Sequence, residues 1–173
     1  MKIESAEYSA TDLIAFINDL QDQDRQVLAD RLERASKRLA EVGPRVKPGR
    51  GGGDEWSDVE VLAHIAGFSK FYGVLVHRMV SGQVTDVNFL QATQMRDGSI
   101  DQMANMEPAE LLRMALADHA RTVNELRTVA AGSLRRRANL PEGGTMTAEE
   151  VARLSLVVHL ENHVNQLEKS LGG

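Results

Sequence analysis

Residues 57–80, Ser57-Asp58-Val59-Glu60-Val61-Leu62-Ala63-His64-Ile65-Ala66-Gly67-Phe68-Ser69-Lys70-Phe71-Tyr72-Gly73-Val74-Leu75-Val76-His77-Arg78-Met79-Val80, read as one amphipathic helix whose start is written into the sequence. Ser57-x-x-Glu60 is a capping box, in which the serine side chain and the glutamate satisfy each other's free backbone amides. Val61, His64, Ile65, Phe68, Tyr72, Leu75, Val76 and Met79 then recur at helical spacing on one face. Ser81-Gly82 ends the run. Trp56, just before the cap, is expected to anchor the helix start in the core, with a place in a substrate wall as the alternative.

Three further helices surround this one. Thr147-x-x-Glu150 is a second capping box, followed by an apolar stripe at Val151, Leu154, Val158 and Leu167. Pro108 suits the first turn of a helix that carries Leu111, Leu112, Ala115, Leu116, His119, Val123 and Leu126 inward and stops at Gly132. The first stretch, from Thr11 to Val42, repeats Leu13, Ile17, Leu20, Val27, Leu28, Leu32, Ala35 and Leu39 at helical spacing. Its polar run Gln21-Asp22-Gln23-Asp24 allows either one long helix or a short one followed by a long one. Gly43-Pro44 stops it. Residues 43–55, 83–106 and 133–146 read as loops, the second with room for a helical turn. The glycines at 49–53 lack the Gly-Lys-Ser/Thr ending and the preceding strand of a phosphate loop. Four amphipathic helices with short-to-medium links predict an all-α protein, a four-helix bundle forming a single domain over residues 1–173.

Composition narrows the function. Hydrophobic residues at 42% and charged residues at 26% suit a folded globular chain. With 0 Cys there is no disulfide scaffold, thiolate metal site or cysteine nucleophile. A net charge of −5 gives no basic field to attract nucleic acid. No secretory signal is expected at the N-terminus, and no uncharged stretch approaches the ~20 apolar residues of a membrane span. A cytoplasmic protein without nucleic-acid or membrane partners is the expectation.

The chemistry rests on the five histidines. His159 and His163 are spaced i, i+4 inside a capped helix, which places both imidazoles on one face where one divalent cation can bridge them. The segment is not a zinc-protease helix, because there the glutamate follows the first histidine directly. Here Glu161 lies two residues on, roughly 200° around the helix. His64 sits on the apolar face of its own helix, where a neutral imidazole needs partners for its ring nitrogens. An inward histidine on one helix and an i, i+4 pair on another describe a three-histidine metal site between helices, as bundles build them. His77 falls near the end of its helix, on a different level. His119 is an inward packing or hydrogen-bonding residue, with a fourth-ligand role as the alternative. Arg135-Arg136-Arg137 reads as a solvated loop run, with anion binding as the alternative.

Trp56-Ser57-Asp58-Val59-Glu60-Val61-Leu62-Ala63-His64-Ile65 resembles the W-S-x-x-E-x-x-x-H-[LI] segment of the DinB/YfiT-like superfamily. His159-x-x-x-His163-x-x-Gln166-Leu167 resembles its C-terminal H-x-x-x-H-x-x-Q-[IL] helix. The resemblance covers most of residues 10–171. It implies up-down-down-up topology, a homodimer, and a divalent metal, zinc or nickel, held by His64, His159 and His163. Family members include enzymes that use bacillithiol or mycothiol, so a thiol cosubstrate and a small-molecule substrate are implied.

Three neutral imidazoles leave an open position and an uncompensated charge on the metal, which lowers the pKa of water or a thiol bound there. One reading is a metal-dependent transferase in which a low-molecular-weight thiol attacks an electrophile. The alternatives are a metal-hydroxide hydrolase and a non-catalytic metal-binding bundle. Gln166, three residues after His163, is placed to bind a ligand or orient a histidine.

Overall fold

Both capping boxes form. Glu60 Oε2 accepts from the Ser57 amide at 2.8 Å and from its hydroxyl at 2.7 Å. Thr147 Oγ1 accepts from the Glu150 amide at 3.1 Å while Glu150 Oε2 accepts from the Thr147 amide at 2.7 Å. The computed structural model describes residues 10–49, 56–88, 102–141 and 143–172. Its helices are α1 (Ala10–Val42), α2 (Asp58–Val80), α3 (Pro108–Thr128), α4 (Ala148–Val151) and α5 (His159–Ser170). A π-helical segment, Ala152–Val158, joins α4 to α5, so the three form one continuous fourth rod.

Side-chain pairs fix the direction of each rod. Arg31 bonds Glu161 and Arg38 bonds Glu168, so position rises along α1 and α5 together and they are parallel. Gly43 faces Leu112, Ser36 meets His119 and Asp30 meets Arg127, so α1 and α3 are antiparallel. Ser69 meets His119, Gly73 faces Thr122 and His77 meets Glu125, so α2 and α3 are parallel. The order is up-down-down-up. Leu28, Leu32, Leu39, Leu62, Ile65, Leu111, Leu126 and Leu167 are fully buried between the rods. α2 is long and apolar enough to cross a bilayer by length and composition, but 67% of its most apolar window is buried in the bundle.

Arg25, itself buried, donates to the carbonyls of Arg127 and Val129 at 2.6 Å each. A guanidinium there satisfies orphan carbonyls at the end of α3 and complements its dipole.

The first helix departs from the expected pattern. It runs unbroken through Gln21–Asp24, and Leu13, Ile14, Phe16, Ile17 and Leu20 are between 42% and 60% exposed. The cause is length: α1 has 33 residues against 23 in α2 and 21 in α3, and α3 already ends against Arg25. The apolar positions before residue 21 extend past the helices that would cover them.

The fourth rod also corrects its predicted stripe. Val151 and Leu167 are buried, but Leu154 is 61% exposed. A π turn closes i→i+5 and shifts the helix phase by one residue. The buried pair Val151 and Ala152 is therefore followed five residues later by the buried pair Leu156 and Val157, and the stripe continues at Leu160, Val164 and Leu167.

The expected loop at 133–146 carries structure. A 3-10 turn, Ala131–Arg135, leads into β1 (Arg137–Asn139), which pairs antiparallel with β2 (Thr145–Thr147) in the register Arg137↔Thr147. Residues 85–87 add a third chain, with the Asn139 amide donating to Thr85 O at 2.7 Å and the Val87 amide to Asn139 O at 2.9 Å. The arginine run is structural: Arg135 pairs with Asp24 and Glu149, Arg136 donates to Val80 O, and Arg137 to Thr145 Oγ1. The rest of the predicted loops at 50–55 and 89–101 lies outside the described residues.

His119 is 1% exposed and joins three helices. Its Nε2 lies 2.7 Å from Ser69 Oγ of α2 and its Nδ1 3.1 Å from Ser36 Oγ of α1. Burial among neutral groups lowers its pKa from 6.5 to about 4. It is a satisfied core histidine rather than a member of the metal-type cluster.

Two outcomes follow. In urea denaturation, Leu154→Gln shifts stability by less than ~0.5 kcal/mol, whereas Leu160→Ala costs about 3 kcal/mol. The reverse order would mean that the helix has no π phase shift. Above pH 6.5, His119 is neutral in both folded and unfolded chains and contributes no pH dependence. Between 6.5 and about 4 only the unfolded chain takes up the proton, so acidification removes on the order of 3 kcal/mol. Urea midpoints measured across that window in wild type and His119→Gln isolate this component, which the variant lacks.

Candidate metal centre

The capping box fixes where α2 starts, and His64 follows two turns later on its buried face, 7% exposed. On the fourth rod the Thr147 cap sets the start, the π segment adds its phase shift, and His159 is the first residue of regular α-helix beyond it. The two faces meet so that His64 Nε2 and His159 Nε2 stand 2.8 Å apart. His163, one turn beyond His159, completes the group: its ring centroid is 4.4 Å from that of His159 and 4.8 Å from that of His64. One ligand atom from each of the three histidines lies within 4.8 Å of the others.

This geometry fits a single cation. Two nitrogens at 2.0–2.1 Å from one ion stand roughly 3–3.5 Å apart, so His64 and His159 would separate by some tenths of an ångström and the widest pair, within 4.8 Å, would close by at most roughly 1.5 Å. His163 Nδ1 lies 2.9 Å from Gln166 Oε1. An Nδ1–H donated to that oxygen leaves the Nε2 lone pair available, the arrangement in which metal-binding histidines are oriented. Phe68, buried, lies flat on His159 with centroids 3.5 Å apart and planes 12° from parallel. It fixes that ring and shields one of its faces.

Acidic side chains near these histidines in sequence have other duties. Glu60 serves the α2 cap. Glu161 turns to α1 and forms a two-pronged pair with Arg31, as expected from its angle around the helix. A general base from within the His159–His163 segment is thereby absent.

The structure brings together His64, His159 and His163, with Gln166 in contact with the third. It does not bring in His77, which pairs with Glu125 at 2.7 Å, or His119. Trp56 departs from expectation. It is 52% exposed rather than in the core, with its ring 4.7 Å from His64 and 6.3 Å from His163. The π segment and the flat contact of Phe68 on His159 were not foreseen. The second had a signal, since Phe68 follows His64 by one turn on the same face.

Solved structures place this bundle among known ones. A mycothiol-dependent maleylpyruvate isomerase superposes with a TM-score of 0.65 at 18% identity, over 87% of this chain and 62% of its own. This chain thus spans less than two thirds of that enzyme. YfiT from Bacillus subtilis, described as a probable metal-dependent hydrolase with an unusual four-helix bundle topology, superposes at 0.54 with 16% identity, over 99% of this chain and 94% of its own. At these identities the likeness is one of fold. No curated protein matches the sequence. The DinB superfamily, however, matches residues 20–167, a span that takes in all three clustered histidines, and the chain belongs to that superfamily.

Proposed function

We propose that the protein is a metal-dependent enzyme that activates a low-molecular-weight thiol, such as bacillithiol or mycothiol, for transfer to an electrophilic small molecule. The observation that carries this reading is the donor set: three imidazoles converging within 4.8 Å, with no carboxylate in the group among the described residues, in a chain with 0 Cys. Zinc or nickel bound by three neutral ligands keeps its full charge, which lowers the pKa of a thiol in the open position.

His64, His159 and His163 would hold the ion. Gln166 keeps His163 in one tautomer and Phe68 keeps His159 in one orientation. The chain has no thiol of its own to compete for the site. In the transfer, sulfur forms the new bond, the leaving group departs with its electron pair, and the thiol proton goes to solvent. Such a reaction suits the cytoplasm, where these thiols are kept reduced. The mycothiol dependence of the structurally similar isomerase supports the reading. A second reading, hydrolysis by activated water, draws support from the description of YfiT as a metal-dependent hydrolase.

Trp56 is the chain's 1 tryptophan and lies 4.7 Å from His64, so it reports on the site directly. Titration with Ni²⁺ is expected to quench its fluorescence to an end point at one equivalent, and His64→Ala and His159→Ala are expected to abolish the effect. Absence of saturable quenching and of bound metal in wild type would remove both enzymatic readings. With metal bound, conjugation of bacillithiol, mycothiol or glutathione to monochlorobimane should fall at least ~100-fold in His64→Ala. Ester or amide hydrolysis without any thiol would instead establish the second reading. Gln166→Ala is expected to weaken metal affinity by about 10–100-fold in chelator competition, with helix content unchanged.

A further inference from the structure

We propose that Trp56 is the substrate platform of the three-histidine site, selecting reactants that carry a flat apolar group next to the end that meets the cation. The inference rests on the metal centre proposed above, and concerns what else the site grips.

Trp56 is 52% exposed, although a tryptophan is among the costliest side chains to leave in water. On a ring of this size, that exposure leaves on the order of 100 Å² of apolar surface facing solvent. Its position is set rather than incidental. It directly precedes the Ser57 N-cap, so the backbone that carries it is held by the capping box. That box ties the indole to the helix bearing His64, at 4.7 Å between centroids. Against His163 its plane is tilted by only 21°, at 6.3 Å.

The aromatic surroundings of the histidines are therefore unequal. Phe68 is buried and stacked on His159, where it acts as packing. Trp56 is half exposed beside His64 and His163, where it is available to a reactant. A ligand whose polar end reaches the histidine cluster lays its neighbouring atoms beside the indole. A phenyl-sized or conjugated group there covers apolar surface and gains stacking, whereas a methyl or hydroxyl gains little. The substrate class assigned is thus a small molecule with an aromatic or conjugated body adjoining its reactive end.

The test uses the full chain loaded with Co²⁺ and two hydroxamates that differ only in their apolar group, benzohydroxamate and acetohydroxamate. Binding is read from the cobalt visible spectrum. Wild type is expected to prefer benzohydroxamate by about 10-fold, the scale of one buried apolar ring contact. Trp56→Ala should lose that preference and Trp56→Phe should keep most of it, with one cobalt bound in each. In the Zn²⁺-loaded wild type, benzohydroxamate should also shift Trp56 emission more than acetohydroxamate does, a readout that needs no variant. Cobalt binding with no preference in wild type, or with the preference intact in Trp56→Ala, overturns the assignment and leaves the metal centre standing. No cobalt bound in wild type overturns the metal centre and this assignment with it.

Discussion

Two imidazoles separated by 95 positions in the chain meet at 2.8 Å, and the bundle must be built so that they do. A polar ring in an apolar interior is costly unless its nitrogens find partners. His64 is surrounded on its helix by Val61 and Ile65, both 1% exposed, so water is a poor substitute. The fourth rod supplies one such partner, His159. A rotation of that rod by one residue, roughly 100°, would turn His159 away from α2. The packing of Leu160, Val164 and Leu167 and the phase set by the π segment therefore determine whether a site exists.

Rotation is one degree of freedom and axial position is the other. Arg31–Glu161 and Arg38–Glu168 join α1 to α5 at two levels, seven residues apart on both helices. Partly exposed pairs of this kind contribute little stability, about 0–1 kcal/mol each. Two of them at matched spacing still disfavour a slip along the axis, because a slip of one turn would break both. The opposite side of the bundle is held by a different device. His119 stands between Ser36 and Ser69 and ties α1, α2 and α3 through one neutral ring. The bundle thus uses its histidines in different ways: His119 is buried and satisfied by hydroxyls, His64, His159 and His163 are gathered with their ligand atoms near one another, and His77 pairs with Glu125.

Most of this frame was legible in the sequence because it depends on local rules. Ser57–Glu60 and Thr147–Glu150 announced two helix starts, and both caps are present. The i, i+4 pair His159–His163 needed only helical geometry to share a face. What was not legible depended on partners or on backbone hydrogen bonding. Leu154 fits an α-helical stripe by spacing, and no residue in Ala152–Val158 signals the wider turn that exposes it. Leu13, Ile17 and Leu20 fit a core stripe equally well, but whether such a stripe is covered depends on the lengths of other helices. Trp56 was expected in the core from its place just before the cap, and a cap gives no information on which side of a helix start the chain approaches from.

The disposition of the acidic side chains bears on the choice between thiol and water as the activated reactant. Hydrogen bonds from Thr147 hold Glu150 below the usual carboxylate range, and Arg38 does the same for Glu168. Glu60 serves its cap and Glu161 its arginine. Among the described residues, the group whose ligand atoms gather is made of histidines alone. Two consequences follow, and they point the same way. A cation held by those three neutral rings would retain its full charge, which favours an anionic ligand. The His159–His163 segment also supplies no carboxylate base to remove a proton from a nucleophile. A thiol, whose pKa of about 8.5 already lies near neutrality, would need only the cation to ionise; water is a far weaker acid and gains more from a base. The proposed thiol reading is the one that asks least of the described acids, which are engaged in caps and ion pairs.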